Sequence, residues 1–163
     1  MKKTMMTIIM ALLALGCGAG GGEQREVKQK AMETNAEIRT ATFAGGCFWC
    51  VESDFKKMPG VLKVLSGYTG GSGDQPTYEN YMKTGHVEAV QVFYDPSRIG
   101  YEQLLDQFWR HIDPTDAGGQ FADRGRHYRS AVFYHDEDQS RIAERSKEAL
   151  GKSGRFARPI VTE

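Results

Sequence analysis

The chain predicts a single two-layer α+β domain, a mixed sheet with helices packed on it in the ferredoxin-like, αβ-plait manner. Three observations carry that class. Segments with strand and helix periodicity follow one another from Thr40 to Glu163 in the order β, α, β, short α, β, α, β, α, β. Turn-forming breaks separate them, such as Met58-Pro59-Gly60, Gly67 to Gly73 and Asp95-Pro96-Ser97. What precedes Thr40 is unsuited to a core, so 163 residues leave room for one modest core and no second domain.

Lys2 and Lys3 precede an apolar stretch, Met5 to Leu15, that ends at Gly16-Cys17. This is the layout of a secretory leader over residues 1–17, too short to span a bilayer comfortably. Leu13-Ala14-Leu15-Gly16-Cys17 resembles a bacterial lipobox, with Ala14 where Leu is usual, and makes Cys17 the candidate lipidation site. Lipid attachment is preferred over a plain cleaved leader, and a retained anchor helix ranks last. Residues 18–39, Gly-rich and charged with almost no large apolar side chain, then read as a flexible linker. The expected location is the periplasm or cell envelope, with the membrane reached through a lipid anchor.

Inside the domain, Ala41 to Ala44 is a short apolar strand closed by Gly45 and Gly46, and Val51 to Met58 is the first helix. Val61 to Leu65 alternates as a strand, and a glycine-rich loop from Gly67 to Gly73 follows it. Tyr78 to Lys83 reads as a short helix stopped by Gly85. The strand His86 to Tyr94 sets Glu88, Val90, Val92 and Tyr94 on one face, because side chains alternate with period two. One carboxylate therefore stands in an apolar row. Tyr101 to Ile112 places Leu104, Leu105, Phe108, Trp109 and Ile112 on one helical face. Asp113 to His127 is a long glycine-bearing loop, of a length commonly tied to function in a small domain. Arg129 to His135 alternates as a strand. Asp136, Glu137 and Asp138 open a helix at its favoured acidic end, with Ile142, Ala143, Ser146, Ala149 and Leu150 inward and Gly151 as its stop. Pro159 to Thr162 is a last short strand.

Composition excludes several classes of function. Net charge is zero with both signs interspersed, which gives no electrostatic footprint for nucleic acid. No Gly-Lys-Ser/Thr follows the glycine-rich loop, so it does not read as a phosphate cradle. His86, His111, His127 and His135 lack a regular ligand spacing and only two Cys stand nearby, so no metal site and no cofactor are expected. A nucleophile elbow for a Ser-His-Asp arrangement is lacking.

The most informative run is Gly45-Gly46-Cys47-Phe48-Trp49-Cys50. A thiol at the mouth of a helix gains from amide N–H groups and the positive end of the macrodipole, which favour the reactive thiolate. With Cys17 consumed by lipid, Cys47 and Cys50 form an isolated pair three residues apart. Such a pair closes almost no loop, which favours redox chemistry over a structural staple, the bland alternative being a simply buried Cys50. On the residues alone, C-x-x-C fits a thioredoxin-like redox pair or half a zinc site. Glu88 is either a poised acid or the partner of a Lys or Arg; Tyr residues such as Tyr78 and Tyr128 ordinarily pack with a satisfied hydroxyl.

In register along the chain stand Gly-Cys-Phe-Trp at 46 to 49, Gly-Tyr-Thr-Gly-Gly at 67 to 71, Pro-Thr-Tyr at 76 to 78 and Gly-His-Val-Glu at 85 to 88. Tyr-Asp-Pro at 94 to 96 and Asp-Arg-Gly-Arg-His-Tyr-Arg-Ser at 123 to 130 complete the set. From about Thr40 to Glu163 the chain thus resembles the peptide methionine sulfoxide reductase A family. That resemblance implies a catalytic domain over residues 40–163 that reduces the S epimer of methionine sulfoxide, free or in oxidised proteins, to methionine. It implies Cys47 as nucleophile, Phe48 and Trp49 as the pocket for the substrate methyl group, and Glu88 as acid. Tyr78 and Tyr128 fall on the oxygen-binding tyrosines and Asp123 on the supporting aspartate.

Residue chemistry agrees. Attack of a thiolate on a sulfoxide sulfur requires its oxygen to receive a proton as the S–O bond breaks, and a buried, shielded carboxyl such as Glu88 suits that donation. Acid and thiol would titrate as a coupled pair. The hydroxyls of Tyr78 and Tyr128 would hold the oxygen, and the aromatic pair would cup a methyl group for roughly 1 kcal/mol. Cys47 would end as a sulfenic acid. Many family members resolve it with cysteines in a C-terminal tail, often with a further aromatic and acidic stretch; this sequence stops at Val161-Thr162-Glu163, which implies a shortened variant or an incomplete sequence. Cys50 becomes the candidate resolving thiol, since i and i+3 at a helix start bring Cβ atoms to about 5 to 6 Å. An outside thiol reducing the sulfenic acid directly is the other route. The expected partners are oxidised proteins or free methionine sulfoxide and a thioredoxin-like reductant, with the protein itself a monomer. Two other functions were open: a thioredoxin-like thiol-disulfide oxidoreductase, which needs no Glu88, and a tethered binding module, which leaves the surroundings of Cys47 without purpose.

Overall fold

The computed structural model describes residues 37–73 and 75–163. The leader, Cys17 and nearly all of the linker lie outside the described residues. The linker's last residue, Arg39, already belongs to the first strand, where it pairs with Tyr94.

Strand β1 (Arg39–Ala44) is closed by the glycine pair and feeds helix α1 (Phe48–Lys56). The helix starts earlier than the expected Val51 because Cys47 is itself its N-cap. The Cys47 carbonyl accepts from the N–H groups of Cys50 at 3.1 Å and Val51 at 3.3 Å, so Phe48 and Trp49 lie in the first turn. Strand β2 (Val61–Thr69) outruns its expected end at Leu65 because β3 (Val87–Tyr94) supplies partners as far as the Thr69 and Val87 pair. Helix α2 (Tyr101–His111) begins where the Gln103 side chain accepts the Gly100 N–H at 2.9 Å. Within the long loop, β4 (Gly119–Gln120) and β5 (Asp123–Arg124) pair as a small hairpin, and a 3-10 turn (Arg126–Tyr128) follows. Strand β6 (Ala131–Phe133) precedes α3 (Glu137–Lys152), whose N-cap Asp136 accepts from the Gln139 N–H at 2.7 Å.

The four-stranded sheet has the order β2-β3-β1-β6. Its three pairings are all antiparallel, which corrects the expectation of a mixed sheet while keeping the α+β, ferredoxin-like class. The physical reason is an insertion. The crossover β1–α1–β2 runs parallel, but β3 lies between its two strands, and β1 likewise separates β3 from β6, so no parallel pair comes into hydrogen-bonding contact.

Three further expectations change. Tyr78 to Lys83 forms hydrogen-bonded turns rather than a helix, with the Tyr81 N–H on the Thr77 carbonyl at 2.9 Å. There the Asn80 side chain takes the Thr77 N–H at 2.7 Å, and the Lys83 and Gly85 N–H groups turn back only three residues, to Asn80 at 2.9 Å and Met82 at 3.3 Å, so no regular α-helical ladder builds up. The strand expected over Arg129 to His135 shrinks to β6. Pro159 to Thr162 is not a strand; the chain meets β6 only at its last residue, where the Val132 N–H donates to the Glu163 carbonyl at 2.8 Å and the Glu163 N–H to Ser130 at 3.1 Å.

The main core lies between the sheet and helices α1 and α2. Phe43 stands at its centre, stacked on Phe55 at 5.1 Å and Phe108 at 5.2 Å between ring centroids. Val90, Val92 and Tyr94 of β3 join it with Leu104, Leu105 and Ile112 of α2. The opposite sheet face holds a smaller cluster of Ala44, Val87, Ala89 and Ala131. Helix α3 is fastened by polar contacts: buried Gln139 donates to the Thr40 carbonyl at 2.7 Å, and Trp109 Nε1 donates to Ser146 Oγ at 2.8 Å. Ala149, expected inward on α3, is exposed.

Candidate active site

Two backbone features put the nucleophile candidate where it is. Gly46 has φ +89, and a Cβ there would meet the Gln120 Cβ at 2.8 Å, so only glycine lets the chain turn against the β4–β5 hairpin. The next residue, half-buried Cys47, caps α1, and the positive end of the helix dipole lies at its sulfur.

Glu88 follows from the alternation of β3. It shares the helix-facing side with Val90, Val92 and Tyr94 and is only 4% exposed. The row ends beneath the tip of α1, where the Phe48 N–H donates to Glu88 Oε2 at 3.0 Å. That amide belongs to the peptide bond between Cys47 and Phe48, so thiol and carboxylate share one site. The other carboxylate oxygen, Oε1, accepts from the Tyr81 hydroxyl at 3.0 Å. No Lys or Arg pairs with Glu88 among the described residues, which removes the simple ion-pair reading.

An aromatic wall surrounds these groups. Phe48 is buried and lies 5.6 Å from the ring of Trp49 and 5.6 Å from that of Tyr68, while Trp49 is 70% exposed and forms an open rim. Tyr68, opposite Glu88 in the β2–β3 ladder, stacks on Tyr81 at 4.4 Å.

Burial, first of all, raises the pKa of Tyr128, the charge of Glu88 and then those of Asp123 and Cys47 raise it further, and the neighbouring Tyr81 hydroxyl works the other way. Burial followed by the Glu88 contact pushes Tyr81 far above the ordinary tyrosine range, so it remains a proton-bearing donor. Cys50 is exposed as a residue, yet packing around its sulfur is the first cause of a raised pKa; the neighbouring Cys47 thiol and the charges of Asp123 and Asp54 add to it.

Cys47, Phe48, Glu88, Tyr128, Asp123 and Cys50 are thus brought together. Tyr78 stands apart, 68% exposed, with its ring 6.2 Å from that of Tyr81. Tyr81, Tyr68 and Gln120 are site residues that sequence reasoning missed. Tyr68 lies inside the Gly-Tyr-Thr-Gly-Gly run, whose glycines read as loop and hide its pairing with Glu88. Tyr81 gave no periodic signal, since it sits in irregular turns.

The family described as peptide methionine sulfoxide reductase matches residues 39–163. The chain is 57% identical over 125 residues to a peptide methionine sulfoxide reductase MsrA of Bacillus licheniformis, covering 76% of this chain and 69% of that protein. Against one from Bacillus subtilis the identity is 58% over 125 residues, with 76% and 71% covered. Among solved structures, the chain resembles reduced Mxr1 of Saccharomyces cerevisiae with a TM-score of 0.67 at 31% identity, over 77% of this chain and 74% of that one. For methionine sulfoxide reductase A of Corynebacterium diphtheriae the values are 0.66 and 30%, over 77% of this chain and 63% of that one. With a carboxyl hydrogen-bonded to the peptide group that follows its thiol, and with these matches, the chain belongs to the peptide methionine sulfoxide reductase family, and its activity is the thiol-dependent reduction of methionine sulfoxide.

Proposed function

We propose that Cys47 attacks the sulfur of the S epimer of methionine sulfoxide while Glu88 protonates the departing oxygen. The observation that carries this is the bond from the Phe48 N–H to Glu88 Oε2, which holds the acid beside the nucleophile's own peptide group. The new bond between the two sulfurs and the S–O bond then break as the protonated oxygen passes to the Cys47 sulfur, and the thioether leaves. The thioether sulfur gains two electrons and Cys47 loses two, becoming a sulfenic acid. Tyr128, whose hydroxyl lies in the field of Glu88 and Cys47, holds the oxygen as negative charge develops on it. Asp123 supports that hydroxyl. Phe48 and Trp49 receive the S-methyl group, and Tyr78 at the rim closes over the oxygen side when substrate binds.

Cys50 then attacks the sulfenic sulfur; a disulfide forms and water leaves. Its place in the first turn of the helix that Cys47 caps, with its N–H on the Cys47 carbonyl at 3.1 Å, supports this role. An external dithiol restores the pair, and a thioredoxin-like protein is the proposed donor, since a solved structure of Mxr1 from Saccharomyces cerevisiae is a complex with Trx2. Oxidised proteins are the proposed substrates, repaired by a monomer. The basic, apolar and small pattern of residues 1–17 supports export and lipid attachment at Cys17, which the mass of the mature N-terminus tests.

The test separates the roles. Given dithiothreitol and both epimers, the protein consumes the S epimer alone; consumption of the R epimer refutes the stereochemical assignment. Cys47→Ser abolishes methionine formation, and Glu88→Gln slows it on the order of a hundredfold or more. Cys50→Ser keeps one stoichiometric turnover and loses thioredoxin-dependent cycling; unchanged cycling removes Cys50 as resolving thiol.

A further inference from the structure

Tyr81 is 3% exposed, and its place is fixed at both ends. Its carbonyl accepts from the His86 N–H at 3.0 Å and from the Thr84 hydroxyl at 3.1 Å, which ties the turn to the start of β3. Its ring stacks on Tyr68 at 4.4 Å and meets the edge of His127 at 5.6 Å. Held this way, the hydroxyl reaches Glu88 Oε1 at 3.0 Å. A phenol has one proton to give. Donated to Glu88, it is not available to a substrate oxygen.

We infer that Tyr81 is a positioning residue for the acid: with the Phe48 amide on the other oxygen, it fixes the carboxyl plane of Glu88 and stabilises the charge left there once the proton has gone. The inference rests on Glu88 being the proton donor. It divides the work between two tyrosines, Tyr81 orienting the acid and Tyr128 holding the oxygen. The titratable groups around the carboxyl are Tyr68 on β2, Cys47 at the mouth of α1, Tyr81 on the turn, and Tyr128 with Asp123 on the long loop.

Tyr81→Phe keeps the ring stack and removes only the hydroxyl. In single-turnover reduction of a methionine sulfoxide peptide, the maximal rate falls about tenfold or more, the scale of one hydrogen bond to a charged group, with little change in the half-saturating concentration. The basic limb of the pH profile moves to higher pH, because a carboxylate that has lost a donor holds its proton longer. A merely structural role predicts the opposite direction, since loosening admits water and eases ionisation. Replacement of Tyr81 by 3-fluorotyrosine, a stronger donor of unchanged shape, moves the limb to lower pH and keeps the question answerable should the phenylalanine variant fold poorly. In a Glu88→Gln background, Tyr81→Phe brings less than about a twofold further loss. An unmoved limb, a limb displaced downward in Tyr81→Phe, or a full independent loss in the double variant overturns the inference. Wild-type rates in Glu88→Gln alone overturn the proton-donor reading instead.

Discussion

Replacing Gly46 by Ala tests the geometry that delivers the nucleophile. At φ +89 a side chain is strained by about 1–2 kcal/mol. The added Cβ also stands 2.8 Å from the Gln120 Cβ, closer than carbon atoms approach without displacement. Gln120 has little freedom to yield. It is 1% exposed, its Oε1 accepts from the Asp113 N–H at 2.8 Å, and its Nε2 donates to the Asp113 carbonyl at 3.0 Å. Moving it strands two buried polar groups or pushes the hairpin outward, at an overpacking cost of about 1–3 kcal/mol. The sum is about 2–5 kcal/mol, a large share of the 5–15 kcal/mol typical of such domains. With a urea dependence of about 2 kcal/mol/M, the midpoint followed by tryptophan fluorescence drops by about 1–2.5 M. Single-turnover methionine formation falls with it, because Cys47 is the next residue. Gly85→Ala is the control: Gly85 has φ +76 but open space around it, so it carries the strain without the collision and costs about half as much. Equal losses in the two variants, or a Gly46→Ala protein with wild-type midpoint and rate, refute the reasoning.

Ser146→Ala leaves the Trp109 indole N–H without its acceptor between α2 and α3. Stability falls by about 1 kcal/mol in urea denaturation, with activity retained. Acid weakens the fold in a predictable direction. The Thr115 hydroxyl and amide, then Arg158, hold Asp113 below the usual carboxylate range, and Arg124 does the same for Asp116. A depressed carboxylate stabilises the fold above its unfolded value of about 4 and loses that contribution as pH falls through the lower folded value. Asp113→Asn therefore lowers the midpoint at pH 7, and its deficit against the parent closes as pH drops below about 4.

Much of the architecture was legible where periodicity is strong. Alternation in β3 placed Glu88 among Val90, Val92 and Tyr94, and the stripe of α2 announced Leu104, Leu105 and Phe108. Strand direction was not legible, since which strand slips between the ends of a crossover is a long-range choice that local pattern does not encode. Nor was the length of β2, whose end from Gly67 reads as loop until β3 supplies partners. The hairpin of β4 and β5 has two residues per strand, too few for any periodic signal. At the site, Cys47 and Glu88 were visible through helix-mouth chemistry and an out-of-place carboxylate. Tyr81 was not, because its reach to Glu88 depends on turns stabilised by Asn80, Thr84 and His86 rather than on a repeating spacing.

The amide that grips Glu88 is the very next one after Cys47, and this has a mechanical result. Rocking of the helix tip carries the Cys47 peptide and, through that bond, the Glu88 carboxylate with it, so the proposed nucleophile and acid are partly insulated from breathing of the surrounding loops. The exposed rings of Trp49 and Tyr78 are not held by that bond, so the rim can yield to a bound client while the spacing of thiol and carboxyl stays put.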